Sequence, residues 1–141
     1  MNVYETLIEV FSRRKRPEHF TNFNHCDDCK EFDEILRSFT RENITFKELG
    51  NIAWNPISDA TINGFFYYFP ALSRLALGKG SEYFIDQFLI HVDNQDRLDN
   101  MSNEERQVFK DYLIWLQTEM KDELDENLDG EDLEEFINRL K

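Results

Sequence analysis

The sequence predicts an all-α chain, a single compact domain of about six to eight helices. Apolar residues recur at three- to four-residue spacing through most of its length. Helix-start residues precede those stretches. No segment alternates apolar and polar residues between turn signals as a half-buried strand would. A chain of 141 residues is long enough to bury one core, and Phe, Tyr and Trp make up 14% of it, enough apolar surface to offset the entropy of ordering. Five Gly and three Pro exclude collagen-like and low-complexity architectures, and no repeat of solenoid length is present.

The elements follow in order. Val3/Tyr4, Leu7/Ile8 and Phe11 give a first amphipathic helix, ended by Arg13-Arg14-Lys15-Arg16 and Pro17. After a loop from Glu18 to Asn24, a second helix runs from about Asp27 to Phe39, with Cys29, Phe32, Ile35/Leu36 and Phe39 inward. Thr45-Phe46-Lys47-Glu48 has capping-box form and opens a short third helix that Gly50 ends. Trp54-Asn55-Pro56 reads as a turn, with Ser58 capping a helix from Asp59 to Phe69. Pro70 then starts a separate helix, Ala71 to Leu77, which Gly78 and Gly80 terminate. Ser81 caps a helix through Val92, and Asp93 to Met101 is a polar connection. Ser102-Asn103-Glu104-Glu105 is a second capping box, followed by the clearest helix, with Val108/Phe109, Tyr112/Leu113, Trp115/Leu116 and Met120 in step. Asp129-Gly130 breaks the pattern, and Leu133, Phe136/Ile137 and Leu140 mark a last short helix.

The charge is −13, from 16 basic and 29 acidic residues. This disfavours direct nucleic-acid binding and attraction to anionic membranes. Between Glu119 and Glu135 there are ten acids against Lys121 alone, which defines an acidic C-terminal helical end. The apolar stretch from Gly64 to Leu77 is too short to span a bilayer and contains Arg74. Glu5 and Glu9 interrupt the N-terminal segment, unlike a secretory leader. With only two cysteines besides, the expected location is the cytoplasm.

The densest chemical constellation is His19 followed by His25-Cys26-Asp27-Asp28-Cys29. Thiolate and imidazole suit tetrahedral zinc, and a C-x-x-C spacing lets two sulfurs reach one ion. A distant second pair is missing; His19, His25 or His91 could supply it, with Asp27 or Asp28 a further candidate ligand, and the adjacent His25 and Cys26 are poorly disposed to share an ion. Cys26, Cys29, His25 and His19 are the candidate ligands; no cofactor is the expectation, with zinc the alternative. A redox reading of the same pair is weakened by Asp27 and Asp28 and by the absence of a preceding strand. The zinc-deaminase pattern lacks its His-x-Glu. Asp125 to Gly130 resembles half a calcium loop, but the twelfth position is Phe136 rather than Glu. Gly78-Lys79-Gly80-Ser81 lacks phosphate-loop spacing, and no dinucleotide fingerprint is present. The basic run 13–16 reads as an intramolecular partner for acids. Phe65-Phe66-Tyr67-Tyr68-Phe69 exceeds what one helical face buries, so part of it is expected to line a groove or subunit contact.

Arg16-Pro17, His25 to Cys29, Trp54, Tyr68-Phe69-Pro70-Ala71 and Gln107-Val108-Phe109 occur in an order that resembles a bacterial family of small helical proteins of unknown function. Its members carry a His/Cys-x-x-Cys segment and an aromatic-Pro-Ala helix. The likeness covers roughly residues 3–118 and leaves the acidic end outside. It implies a helical fold and a bacterial or phage source, and draws attention to Cys26 and Cys29. It carries over no activity and no catalytic residue.

Two functions follow as expectations. The first is a non-catalytic acidic binding protein, an inhibitor or immunity protein for a basic partner, touching it through Asp122, Glu123, Asp125, Glu126, Asp129, Glu131 and Asp132. The second is a small zinc-binding protein or enzyme organised around Cys26, Cys29 and a histidine.

Overall fold

The computed structural model describes residues 1–140, which form nine α-helices and two 3-10 turns and no strand. The helices are α1 (Val3–Phe11), α2 (Asp27–Ser38), α3 (Phe46–Leu49), α4 (Ile62–Leu75), α5 (Ile85–Val92), α6 (Gln95–Asp99), α7 (Asn103–Glu119), α8 (Lys121–Asn127) and α9 (Gly130–Arg139). Among the described residues no helix is long and apolar enough to cross a membrane.

The two capping boxes form as expected. Thr45 and Glu48 close one at α3, and Ser102 and Glu105 close the other at α7. Glu105 has a second role, accepting Arg14 Nε at 2.9 Å and Nη2 at 2.8 Å in a bidentate pair. Burial opposes its ionisation, but the Arg14 and Ser102 hydrogen bonds outweigh that and hold its carboxyl below the ordinary range. The basic run therefore ties the end of α1 to the start of α7, with Arg13 reaching Glu104 at 2.7 Å. Arg16 donates to the Arg37 and Phe39 carbonyls and to Tyr67 Oη.

Helix α4 is the centre of the molecule, and it departs from expectation twice. It is continuous through Pro70 rather than split there, and its cap is Thr61, not Ser58, which lies in a 3-10 turn (Pro56–Asp59). An interior Pro costs about 3 kcal/mol through a lost hydrogen bond and a steric clash. Every residue from Gly64 to Ser73 is buried, so packing on both sides of Pro70 outweighs that local preference. The five-aromatic run lines no groove either. Phe65, Phe66, Tyr67, Tyr68 and Phe69 are all buried, because a central helix is covered all round by α1, α2, α5 and α7.

Three further boundaries differ. Ser81 caps nothing: Gly80 takes a left-handed φ of 62° in a 3-10 turn (Gly80–Glu82), and α5 begins only at Ile85. The expected polar connection contains α6, capped by the Asn94 side chain. Met120 leaves helical geometry and separates α7 from α8, while Leu128 takes a left-handed φ of 59° before α9.

Beside α4 lie two buried basic residues, Arg97 and His91. Among the described residues Arg97 meets no carboxylate; it donates to the carbonyls of His91 (2.8 Å) and Ile57 (2.9 Å) and covers the Phe65 ring at 4.2 Å. Burial, reinforced by that guanidinium, pushes the His91 pKa down to about 4. Folding thus selects neutral His91, so its stabilisation is complete above the unfolded pKa near 6.5 and is lost as pH falls towards 4. Urea melts are expected to show a loss of about 3 kcal/mol across that window, absent from His91→Asn. A wild-type midpoint that stays flat between pH 6.5 and 4.5 would contradict this account.

Candidate metal centre

The site is built where the loop before α2 is clamped between α2 and the start of α4. Asp33, on the inner face of α2, accepts the Phe20 amide at 2.6 Å, the Thr21 amide at 3.2 Å and His19 Nδ1–H at 2.7 Å. Burial disfavours its charge, but these hydrogen bonds outweigh burial and hold the carboxyl below the usual carboxylate range. Thr21 Oγ1 donates to the Cys29 carbonyl at 2.6 Å. On the other side, Thr61 N–H donates to the Phe20 carbonyl at 2.8 Å, and Thr21 makes a lone antiparallel bridge with Ala60. The approach is so close that a Cβ on Gly64 would lie 2.5 Å from the Phe20 carbonyl oxygen, a backbone atom with no room to yield.

From this anchor the chain turns at residues 22–25, with His25 N–H donating to Asn22 O, and enters α2 through Cys26. Cys26 is the N-cap, extended at φ −160° and ψ 169°, and its Sγ accepts the Cys29 amide at 3.2 Å, the place a Ser or Thr oxygen usually takes. This bend brings the two sulfurs to 2.7 Å and sets His25 Nδ1 3.7 Å from Cys29 Sγ. Ligand atoms of His25, Cys26 and Cys29 all lie within 4.8 Å of one another, the one such group of three or more among the described residues. The expectation that adjacent His25 and Cys26 could hardly share an ion is therefore corrected. The turn that ends at His25 and the N-cap at Cys26 leave both side chains beside Cys29 at the first turn of α2.

Exposure and charge divide the two thiols. Cys26 is exposed, and Cys29 is buried at 7% exposure. Hydrogen bonds from the Cys29 side chain and amide, and from His25, hold the Cys26 thiol below its ordinary range. The Cys26 sulfur, burial and the carboxylates of Asp59 and Asp28 push Cys29 up to about 11. As a pair, the sulfurs release one proton readily and hold the second, unless a cation takes its place.

The other expected ligands lie elsewhere. His19 is committed to Asp33 and stacks on Phe23 at 3.9 Å, outside the three-residue group. His91 is buried in α5. The half calcium loop forms no metal group: Asp125 pairs with Lys121, Asp129 accepts the Tyr83 hydroxyl, and Gly130 already belongs to α9. Asp122, Asp125, Glu126, Glu131 and Asp132 are exposed along α8 and α9, while Glu123 and Asp129 are half-buried against Lys79 and Tyr83. Asp129 and Asp132 face a groove between α5 and α9 that also presents Asp86, Asp93 and Glu135 over Leu89, Ile90 and Phe136.

Asp33 and Thr21 were not among the residues singled out from the sequence. One signal pointed to Asp33: it follows Cys29 by four residues, inside the inward stripe of Cys29, Phe32 and Leu36. Compared with family models, curated proteins and solved structures, the chain finds no match.

Proposed function

We propose that this protein binds a single zinc ion through His25 Nδ1, Cys26 Sγ and Cys29 Sγ, with water in the fourth position. The observation carrying this reading is the convergence of three borderline-soft donors within 4.8 Å on a clamped loop and helix start. Two edges of the ligand set can be compared with zinc geometry. Arms of about 2.3 Å to sulfur and 2.05 Å to nitrogen give tetrahedral edges of about 3.5 Å (N to S) and 3.8 Å (S to S). The His25–Cys29 edge, at 3.7 Å, is already close to its value. The sulfurs must open from 2.7 Å by about 1 Å, and Cys26 is the exposed side chain that would move, loosening its cap on the Cys29 amide. Asp27, Asp28 and Asp59, all exposed nearby, add negative potential that favours a cation.

The experiment is a competition titration of reduced, tag-free protein against a chromophoric zinc chelator, with cobalt(II) as a spectroscopic substitute. One equivalent of zinc and intense thiolate-to-cobalt absorption are expected. Cys29→Ser and His25→Ala should each weaken binding by about tenfold or more, while Asp125→Asn should leave it unchanged. Sub-stoichiometric metal with both thiols titrating freely would end this reading.

A second reading, a docking surface for a basic protein, is favoured by the α5–α9 groove, where five carboxylates surround an apolar floor and Arg139 is the one cation among the described residues that line it. Its basis is charge, and Arg139 already engages Asp93 at 3.2 Å. The thiol–imidazole group is the more specific arrangement because it requires three chemically matched side chains to converge.

A further inference from the structure

We propose that Cys26 and Cys29 also form a reversible dithiol–disulfide pair, and that closing the disulfide ejects the metal. The ejection rests on the zinc reading above; the disulfide does not. At 2.7 Å the sulfurs stand between two bonded states. A disulfide at about 2.05 Å needs them to close by less than about 1 Å, and a tetrahedral ion needs them to open by about as much. The two states use the same sulfurs and exclude each other.

The pair is asymmetric in the way exchange requires. Cys26 is exposed at the N-terminus of a twelve-residue helix, and its sulfur accepts the Cys29 amide, so an incoming reagent meets Cys26 first. Cys29 is buried directly behind it, sheltered from the reagent but in contact with Cys26. The co-reactant is a low-molecular-weight disulfide. Cys26 Sγ, as thiolate, attacks one sulfur of that reagent; the reagent's S–S bond breaks, one thiolate leaves, and Cys26 holds a mixed disulfide. Cys29 then gives its proton to His25 Nδ1, 3.7 Å away, and attacks Cys26 Sγ. The mixed disulfide breaks, and the second thiolate leaves and takes up the proton. The protein has lost two electrons, and the reagent has been reduced to two thiols.

The test uses reduced, metal-free full-length protein exposed to oxidised glutathione, quenched by alkylation and weighed intact. The wild type is expected to lose two hydrogens and carry no adduct. Cys29→Ser should stop as a glutathione adduct on Cys26. Cys26→Ser, in which Ser is itself a good N-cap and preserves the helix start, should react about tenfold more slowly or less. A wild type that accumulates the adduct, or links only between chains, or stays a dithiol overturns the proposal. In the zinc-loaded protein, each disulfide formed should release one zinc to a chelating dye, and a disulfide formed with zinc retained would overturn the ejection. Stoichiometric zinc binding without disulfide formation removes this inference and leaves the zinc reading. A disulfide in a chain that binds no zinc when reduced removes the zinc reading and the ejection with it, and keeps the dithiol.

Discussion

Asp33→Ala is expected to lower folding stability by about 3–5 kcal/mol and to weaken zinc binding by about tenfold, although Asp33 touches no ligand atom. The carboxylate is 3% exposed and is the common acceptor for Phe20 N, Thr21 N and His19 Nδ1. Its removal leaves two buried amides without a partner, each costing about 1–3 kcal/mol, and frees an imidazole that had been held in one place. Those groups form the strand of chain that delivers His25 and Cys26 to the start of α2, so the loss reaches the metal through position. Asp33→Asn separates the contributions: it keeps an oxygen for the two amides and loses the charge-assisted bond to His19, and should cost about 1–2 kcal/mol. Below neutral pH the sign is fixed by the depressed pKa. The stabilisation from Asp33 is present above its ordinary carboxylate range and is lost as pH falls through its lower folded value. Urea melts alongside the chelator competition provide the check, and an Asp33→Ala midpoint equal to wild type would refute the clamp.

Local chemistry that acts within one turn was legible in the sequence. Capping boxes at Thr45 and Ser102 set the starts of α3 and α7, and periodicity in Val3–Phe11 and Asp27–Ser38 set α1 and α2. The misreadings occur where a distant surface overrides a local rule. Pro70 breaks a helix by its own chemistry, yet it lies inside α4 because residues on both sides of it are buried by other helices. Five residues are too few for periodicity to reveal α6, and its Asn94 cap was the only mark it left. Met120 escaped notice as a break because Leu116, Met120 and Leu124 continue the apolar spacing straight through it.

The candidate site divides the same way. His25, Cys26 and Cys29 were visible because chemistry and spacing coincide within five residues. Which histidine completes the set was not: His25 looked poorly placed because it is adjacent to Cys26, and it is the Asp33 bond that removes His19 from contention. An acid on a helix in a chain this acidic reads as solvated surface, and that hid Asp33.

Phe69→Ala is expected to cost about 3–5 kcal/mol, the upper range for a large-to-small change in a rigid core. The ring is fully buried and meets Phe11 at 4.3 Å, Phe109 at 5.5 Å, Phe65 at 5.7 Å and Phe88 at 6.0 Å, joining α1, α4, α5 and α7 at one point. Those neighbours are themselves held by other rings, so the cavity cannot collapse cheaply and the lost contacts are not regained. Ile114→Ala, on the 46% exposed face of α7, should cost less than about 1 kcal/mol. The pair also decides what the aromatic run is for. Had Phe65 to Phe69 formed a subunit contact, Phe69→Ala would change the sedimentation of the native protein and spare the unfolding midpoint. With the run buried inside one chain, the midpoint falls and the native hydrodynamic size does not change.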